Sequence, residues 1–274
     1  MLRGLYAAGA GMISQQRKQE MLSNNIANIN TPGYKEDQGS LRTFPDMMIK
    51  ALGTDHIQTT GSNHVGTLAT GVYMQEQTPN FTQGDIQETG NNTDVALLQA
   101  LVPINEETDE EAMLVFETQN DNGDIRYTRN GNFAIDSQGT LTNSSGHYIL
   151  GVDGNPITVN NENITINSEG QIFSAEQDLL GQINVAVVTD PGQLVKEGEG
   201  LFRYDGDNDV VTAVDNDEVT FQLQQGFVER SNVDATRTMT EMMTALRTFE
   251  ANQKVLQAYD QTMQRTVNDV GKIG

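Results

Sequence analysis

The residues with the best claim to chemistry are three alternating aspartates, Asp205, Asp207 and Asp209, set like the first ligands of a calcium loop. Such a loop needs glycine at its sixth position and a bidentate Glu at its twelfth. This chain has Val210 and Asn216 there, so the triplet reads as a solvated hairpin tip. His56, His64 and His147 show no close metal-ligand spacing, and the first two fall in the Gly-, Thr- and Ser-rich stretch Gly53 to Thr70, read as loop or poorly ordered. Glu106, Glu107, Asp109, Glu110 and Glu111 read as a charged loop. Gly198-Glu199-Gly200 lacks the preceding strand and following helix that a phosphate loop requires. Sequons such as Asn80-Phe81-Thr82 and Asn163-Ile164-Thr165 are expected in an Asn-rich chain. No nucleophile is paired with a base. The expectation is a non-enzyme with no catalytic residue, no cofactor, no metal and no small-molecule substrate.

The stronger pattern lies at the two ends. Met1, Leu5, Ala8, Met12, Gln15, Gln19, Leu22 and Ile26 are spaced alternately by four and three. The same alternation runs through Met239, Met242, Leu246, Phe249, Gln253, Leu256, Asp260, Met263, Val267 and Val270. A period-3.5 stripe needs another helix against it. The first helix is expected from about Leu2 to about Asn28, stopped by Thr31-Pro32-Gly33, where Pro disfavours helix at Thr31 and Gly accepts positive φ. The last is expected to start at Ser231 or Asn232, with Asp234 in its first turn, and to end near Gly271 beside Lys272. At ~1.5 Å per residue they would be roughly 40 and 60 Å long, and neither is stable in isolation. The bland alternative is an ordinary intramolecular helix pair packed on a β-domain. Two features favour assembly instead. Seam amides at Gln15, Gln19 and Gln253, with Asn24, Asn25 and Asn28 near the end of the first helix, suit register specification. Met239, Met242, Met243 and Met263 form an adaptable apolar surface.

Charge follows the same division. The chain carries −22, but residues 1–35 set Arg3, Arg17, Lys18 and Lys35 against Glu20 alone, a balance of +3. Residues 231–274 balance to zero, which leaves −25 on the interior. Near-neutral ends can pack against copies of themselves, while the acidic middle argues against nucleic acid or anionic membrane as a partner. Cysteine is absent, so thiol and disulfide chemistry are excluded. No apolar run approaches a transmembrane span, and no cleaved signal peptide is expected.

Between the helices the texture is β. Ile183, Val185 and Val187 alternate with Asn184, Ala186 and Val188 as in a half-buried strand. Ile157 and Val159, then Ile164 and Ile166, repeat that period across an Asn-rich turn. Asn122-Gly123, Asn130-Gly131, Asp153-Gly154 and Asp205-Gly206 are tight-turn signals. The fold class expected is α+β: long N- and C-terminal helices forming a joint coiled-coil domain, with an all-β middle domain of short antiparallel strands. The expected organisation is an N-terminal helix over 1–32, an extended connector over 33–75, the β-domain over 76–199, a returning connector over 200–230 and the C-terminal helix over 231–274.

Leu22-Ser-Asn-Asn-Ile-Ala-Asn-Ile-Asn-Thr-Pro-Gly-Tyr-Lys35 resembles the N-terminal signature of the bacterial flagellar rod, hook and hook-associated proteins. Ser231-Asn-Val-Asp234, with Phe249-Glu-Ala-Asn252 inside the stretch Met242 to Leu256, resembles their C-terminal signature. Phe81-Thr-Gln-Gly-Asp-Ile-Gln-Glu-Thr-Gly90, Asp94-Val-Ala-Leu97, Tyr127-Thr-Arg-Asn-Gly-Asn-Phe133 and Gly139-Thr-Leu141 are similar to the rod β-domain. One departure is local: a Gly-x-Gly-Phe-Phe-type turn is replaced by Leu98-Gln-Ala-Leu-Val-Pro103 and the acidic run.

The resemblance implies a structural axial subunit of the basal-body rod, most like the distal-rod branch. It implies export through the flagellar type III apparatus without a cleaved signal, helical polymerisation through the terminal helices, and location in the basal body within the cell envelope. The implied partners are copies of the chain, other rod and hook axial proteins and the export apparatus. Subunit contacts are expected at Leu5, Met12, Leu22, Asn24, Asn25, Ile26, Asn28, Met242, Leu246, Phe249, Leu256 and Met263. The competing readings are a hook or hook-associated subunit, which the modest middle domain disfavours, and a secreted cell-wall- or glycan-binding β-protein. The absence of tryptophan and of paired carboxylates weighs against the latter.

Overall fold

The computed structural model describes residues 2–45, 47–50, 64–68, 71–105, 110–120, 122–161, 163–206, 210–214, 216 and 218–270. The expectations placed on Met1, His56, Glu106, Glu107, Asp109, Asp207, Asp209, Gly271 and Lys272 lie outside the described residues. The chain is α+β, with an N-terminal helix, a β-rich middle and a C-terminal helix. It divides into two compact units: Met1–Ala27, Asp37–Pro79 and Asp234–Gly274 form one, Asn28–Glu36 and Asn80–Val233 the other.

The helical unit contains α1 (Leu2–Ala27), the strands β1 (Asp37–Thr43), β2 (Met47–Lys50), β3 (His64–Leu68) and β4 (Val72–Pro79), and α2 (Ala235–Val270). β1 pairs antiparallel with β4, and β2 with β3. His64–Leu68, read as loop from its composition, is therefore a strand, held by a backbone ladder that needs no side-chain periodicity. α2 begins at Ala235, later than expected. Asp234 caps it, its Oδ1 accepting the N–H groups of Thr236 (2.8 Å) and Arg237 (3.1 Å). Asn232 cannot cap because its side chain is engaged elsewhere, accepting from Glu36 N–H at 2.7 Å and donating to the Asn80 carbonyl at 2.8 Å. α2 carries many threonines, poor interior helix formers. Thr240, Thr244 and Thr248 each return their hydroxyl to the carbonyl four residues back.

The β unit contains β5 (Ile86–Glu88), β6 (Val95–Leu101), β7 (Met113–Gln119), β8 (Ile125–Thr128), β9 (Phe133–Ile135), β10 (Leu141–Asn143), β11 (Tyr148–Ile149) and β12 (Thr165–Ile166). It continues with β13 (Gln171–Phe173), β14 (Leu179–Gln182), β15 (Val185–Val188), β16 (Leu194–Gly198), β17 (Leu201–Tyr204), β18 (Val211–Thr212), β19 (Thr220–Gln225) and β20 (Phe227–Glu229). The main sheet runs β16-β17-β8-β7-β11-β10-β9, with β15 joining β7 and β18 joining β15. β12-β13-β14, β6-β19 and β5-β20 form smaller antiparallel sets.

β15 is not half-buried as its alternation suggested; all four residues are buried. Val185 and Val187 enter one core with Leu114, Phe116 and Ile149, while Ala186 and Val188 enter a second with Met113, Val115 and Phe202. A strand covered on both faces reads as a continuous apolar run. Ile157 and Val159 do not form a hairpin with Ile164 and Ile166. Ile166 instead pairs with Ile172, and all four side chains join the first core. Of the turn signals, Gly123 and Gly154 take positive φ, but Gly131 and Gly206 do not. Gly131 instead abuts the Val95 backbone, which donates N–H to its carbonyl at 2.9 Å.

The meander β9-β10-β11 recurs 31 residues on as β12-β13-β14. Asp136 Oδ1 accepts from the N–H of Gln138 and Thr140, and Asn167 Oδ1 does the same with Glu169 and Gln171. Asn143 and Ser174 repeat the motif at the second turn of each copy. The left-handed position is glycine in three of the four turns but Gln177 (φ 69) in the last. Gln177→Gly should relieve that strain and raise stability by about 0.5–1 kcal/mol, read as a higher urea midpoint at unchanged slope.

Candidate functional site

Within the helical unit α1 and α2 run antiparallel. Gly4 lies against the Tyr259 ring, Gly11 against the Asn252 amide, and Lys18 Nζ is 3.4 Å from Glu241 Oε2. A Cβ on Gly4 would fall 2.6 Å from the Tyr259 Cζ, and one on Gly11 2.9 Å from Asn252 Nδ2. Two glycines seven residues apart thus admit a ring and an amide seven apart on the facing helix. The α2 face turned inward includes Thr238 and Ala245, both buried, with Met242 packed on Met21, Leu22 and Met74. Another apolar stripe, Met239, Met243 and Leu246, stays exposed beside it. Every residue from Asp260 to Asp269 is exposed.

The residues expected at subunit contacts fall into three groups. Leu22 and Asn25 are buried, and Asn25 is held at the entrance of β1. Its Nδ2 donates to the Asp37 carbonyl (2.9 Å) and its Oδ1 accepts from Asp37 N–H (3.0 Å). Leu5, Met12, Ile26, Asn28, Met242, Phe249 and Leu256 are half-buried. Asn24, Leu246 and Met263 are exposed.

The β unit holds a second constellation that sequence reasoning left without a role. After α1 the segment Asn28–Glu36 seats in this unit as a strap. Gly33 (φ 67) donates its N–H to the Glu229 carbonyl at 2.8 Å, and a Cβ there would meet the Arg129 carbonyl and Asn130 nitrogen at 2.5 Å. Lys35, Arg129 and Glu229 form a triad whose side chains are all 1 % exposed. Lys35 Nζ donates to Glu229 Oε1 at 2.6 Å and to the Thr82 carbonyl at 2.9 Å. Arg129 Nε donates to Glu229 Oε2 at 2.5 Å, and its Nη atoms to the carbonyls of Leu114 (2.6 Å) and Leu97 (2.8 Å). Gly84 N–H donates to Glu229 Oε1 at 2.8 Å. Outside the strap, Lys196 donates to the Lys35 carbonyl at 2.6 Å and sits over the Tyr34 ring.

Two cations and one anion give the triad a net charge of +1. Burial, reinforced by Arg129, brings the Lys35 ammonium down to about 8 against the pull of Glu229. Burial alone would raise the Glu229 carboxyl, but Arg129 and Lys35 outweigh it and hold the group below the usual range. Gly33→Ala would force a methyl into fixed backbone at a left-handed position, and should cost about 2–4 kcal/mol in denaturant unfolding. The signal available in the sequence was the rarity of bases in the interior: Arg129 stands there among many acids.

The other chemical candidates resolve into turns and surface pairs. Gly198, at the end of β16, and Glu199 and Gly200 before β17 all take positive φ, a strand–turn–strand rather than a phosphate loop. Asp205 accepts both Nε and Nη2 of Arg203. His147 Nε2 lies 3.1 Å from Glu199 Oε2. Among the described residues no helix is long and apolar enough to cross a membrane.

Three family models match in chain order: flagella basal body rod protein over residues 5–35, flagellar hook protein FlgE/F/G D1 domain over 115–174, and flagellar basal body rod FlgEFG protein C-terminal over 224–269. The chain is 45 % identical over 273 residues to the flagellar hook-basal body complex protein FlhO of Bacillus subtilis (strain 168), covering 100 % of both chains. The chain belongs to the flagellar basal-body rod protein family. It is also 30 % identical to the flagellar basal-body rod protein FlgG of the same organism, over 98 % of this chain and 99 % of that one. A third relative, FlgG of Borreliella burgdorferi, is 29 % identical over 95 % of this chain and 96 % of its own. In this rod-family chain the first matched stretch ends on Lys35, inside the triad, and the last includes Glu229, Asn232 and α2 as far as Asp269.

Proposed function

We propose that this rod-family subunit polymerises helically through its two terminal helices, packed as a coiled coil. Other rod and hook axial proteins, and the flagellar type III export apparatus that delivers the chain, are its further partners. The observation that carries the reading is the unused apolar stripe of α2. Met239, Met243 and Leu246 stand exposed beside an inward face on which Met242 already packs against Met21 and Leu22 of α1 and Met74 of β4. An apolar face of this kind on an otherwise polar helix marks an interaction site. The near-neutral ends support the occupant being another copy, since self-association there meets no charge barrier. Contacts that repeat without closing a ring propagate as a filament.

On this reading Leu246, Met263 and Asn24 make direct subunit contacts, with Leu5, Met12, Ile26, Asn28, Met242, Phe249 and Leu256 at their margins. Leu22 and Asn25 act from within by fixing the helix that carries them. Deleting the gene and imaging purified basal bodies tests the proposal. A shortened rod and cells without filaments are expected. Intact flagella with normal swimming would refute it, and a complete rod lacking only its hook would favour a hook subunit.

A further inference from the structure

The strap Asn28–Glu36 belongs to the β unit, yet the rest of that unit begins only at Asn80. Its seat is assembled from distant stretches. Thr82 and Gly84 lie just inside the unit, Arg129 follows β8, and Glu229 with Asn232 lie at the unit's far end. Lys35 and Glu229 are 194 residues apart in sequence. Each part leaves a polar group without its partner when another is missing. Without Glu229, the Arg129 guanidinium is enclosed between the carbonyls of β6 and β7 with its charge uncancelled. Without the strap, the carbonyl of buried Glu229 loses the Gly33 N–H, and the half-buried Asn232 amide oxygen loses that of Glu36. Stranded groups of this kind are expensive, charged ones most of all.

We propose that the strap is the keystone of the β unit, which becomes stable only when residues 28–36 and 229–232 are both in place. A chain presented from its N-terminus therefore acquires no locked β unit until residue 232 is available, although Lys35 was delivered almost at the start. The device stands on contacts within one unit of one chain, and does not depend on how the subunits associate.

Native-state hydrogen exchange on the full chain tests it. The amides of Gly33 and Glu36 should exchange within roughly threefold of those of Val95 and Leu150, which bond the carbonyls of Gly131 and Glu117 in the same unit, with the same urea dependence. Strap amides exchanging more than roughly a hundredfold faster, independently of urea, would show a strap that peels away locally, and would overturn the proposal. In full-length Asn232→Ala, exchange at Val95 and Leu150 should accelerate by the same factor as at Gly33. Acceleration confined to the strap would again overturn it. If that variant does not fold, the wild-type pattern decides alone.

Discussion

Glu229→Gln should cost about 3–5 kcal/mol of unfolding free energy, because it leaves two cations buried with no anion between them. The same reasoning makes Lys35→Met much cheaper, about 1–2 kcal/mol. It removes the surplus charge and leaves the Arg129–Glu229 pair neutral, at the expense of the hydrogen bonds to Glu229 Oε1 and the Thr82 carbonyl. Urea titrations of the two variants at constant slope give the comparison. Equal losses would mean that hydrogen-bond count, and not net charge, governs the triad.

The pH dependence follows with two opposite signs. Glu229 titrates lower in the folded chain than unfolded, so its contribution is complete above the ordinary carboxylate value near 4.5 and fades as pH falls through the lower folded value. Lys35 titrates near 8 when folded against 10.5 when free, so between those values the unfolded chain binds the proton more tightly. Stability from this group should therefore rise with pH across about 8 to 10.5. Lys35→Met should abolish that rise while leaving the acid limb in place.

Leu246→Asp should abolish assembly while the monomer keeps its helix and strand content by circular dichroism. The side chain is 47 % exposed, so the charge enters solvent in the free subunit and becomes buried only when a partner covers the stripe. Its neighbour supplies the control. Ala245 is 2 % exposed on the inward face, and Ala245→Asp should separate the helices themselves, with loss of helical signal before any assembly step. Polymer formed by Leu246→Asp at the wild-type rate would remove this stripe from the interface.

The terminal helices were legible because their apolar spacing has one period over many turns. Their phase was harder to read. The alternating spacing puts Leu246, Gln253 and Asp260 at every second seam position, whereas α2 buries Ala245 and sets Asn252 and Tyr259 against α1. The reason is close approach: Gly4 and Gly11 leave room for an amide and a ring, so the inward face is built on small and polar residues that a hydrophobic stripe search passes over. β15 misled for a related reason, since strict alternation of Val with smaller residues serves equally well between two cores. The triad was out of reach altogether. Arg129 lies 100 residues from Glu229, and no local period links them. The duplicated meander was present in plain letters, as Asp136-Ser-Gln-Gly139 and Asn167-Ser-Glu-Gly170, but only the matched turn bonds give the likeness meaning.

The last ten residues before Val270 on α2 have a further consequence. Within the helical unit, Asp260 to Asp269 are exposed while Gly4 of α1 is set against Tyr259 just before them, so the two ends of the helix pair are unlike. Any column stacked from such pairs would inherit a direction. Its two tips would expose different chemistry, so addition at one would be a different reaction from addition at the other.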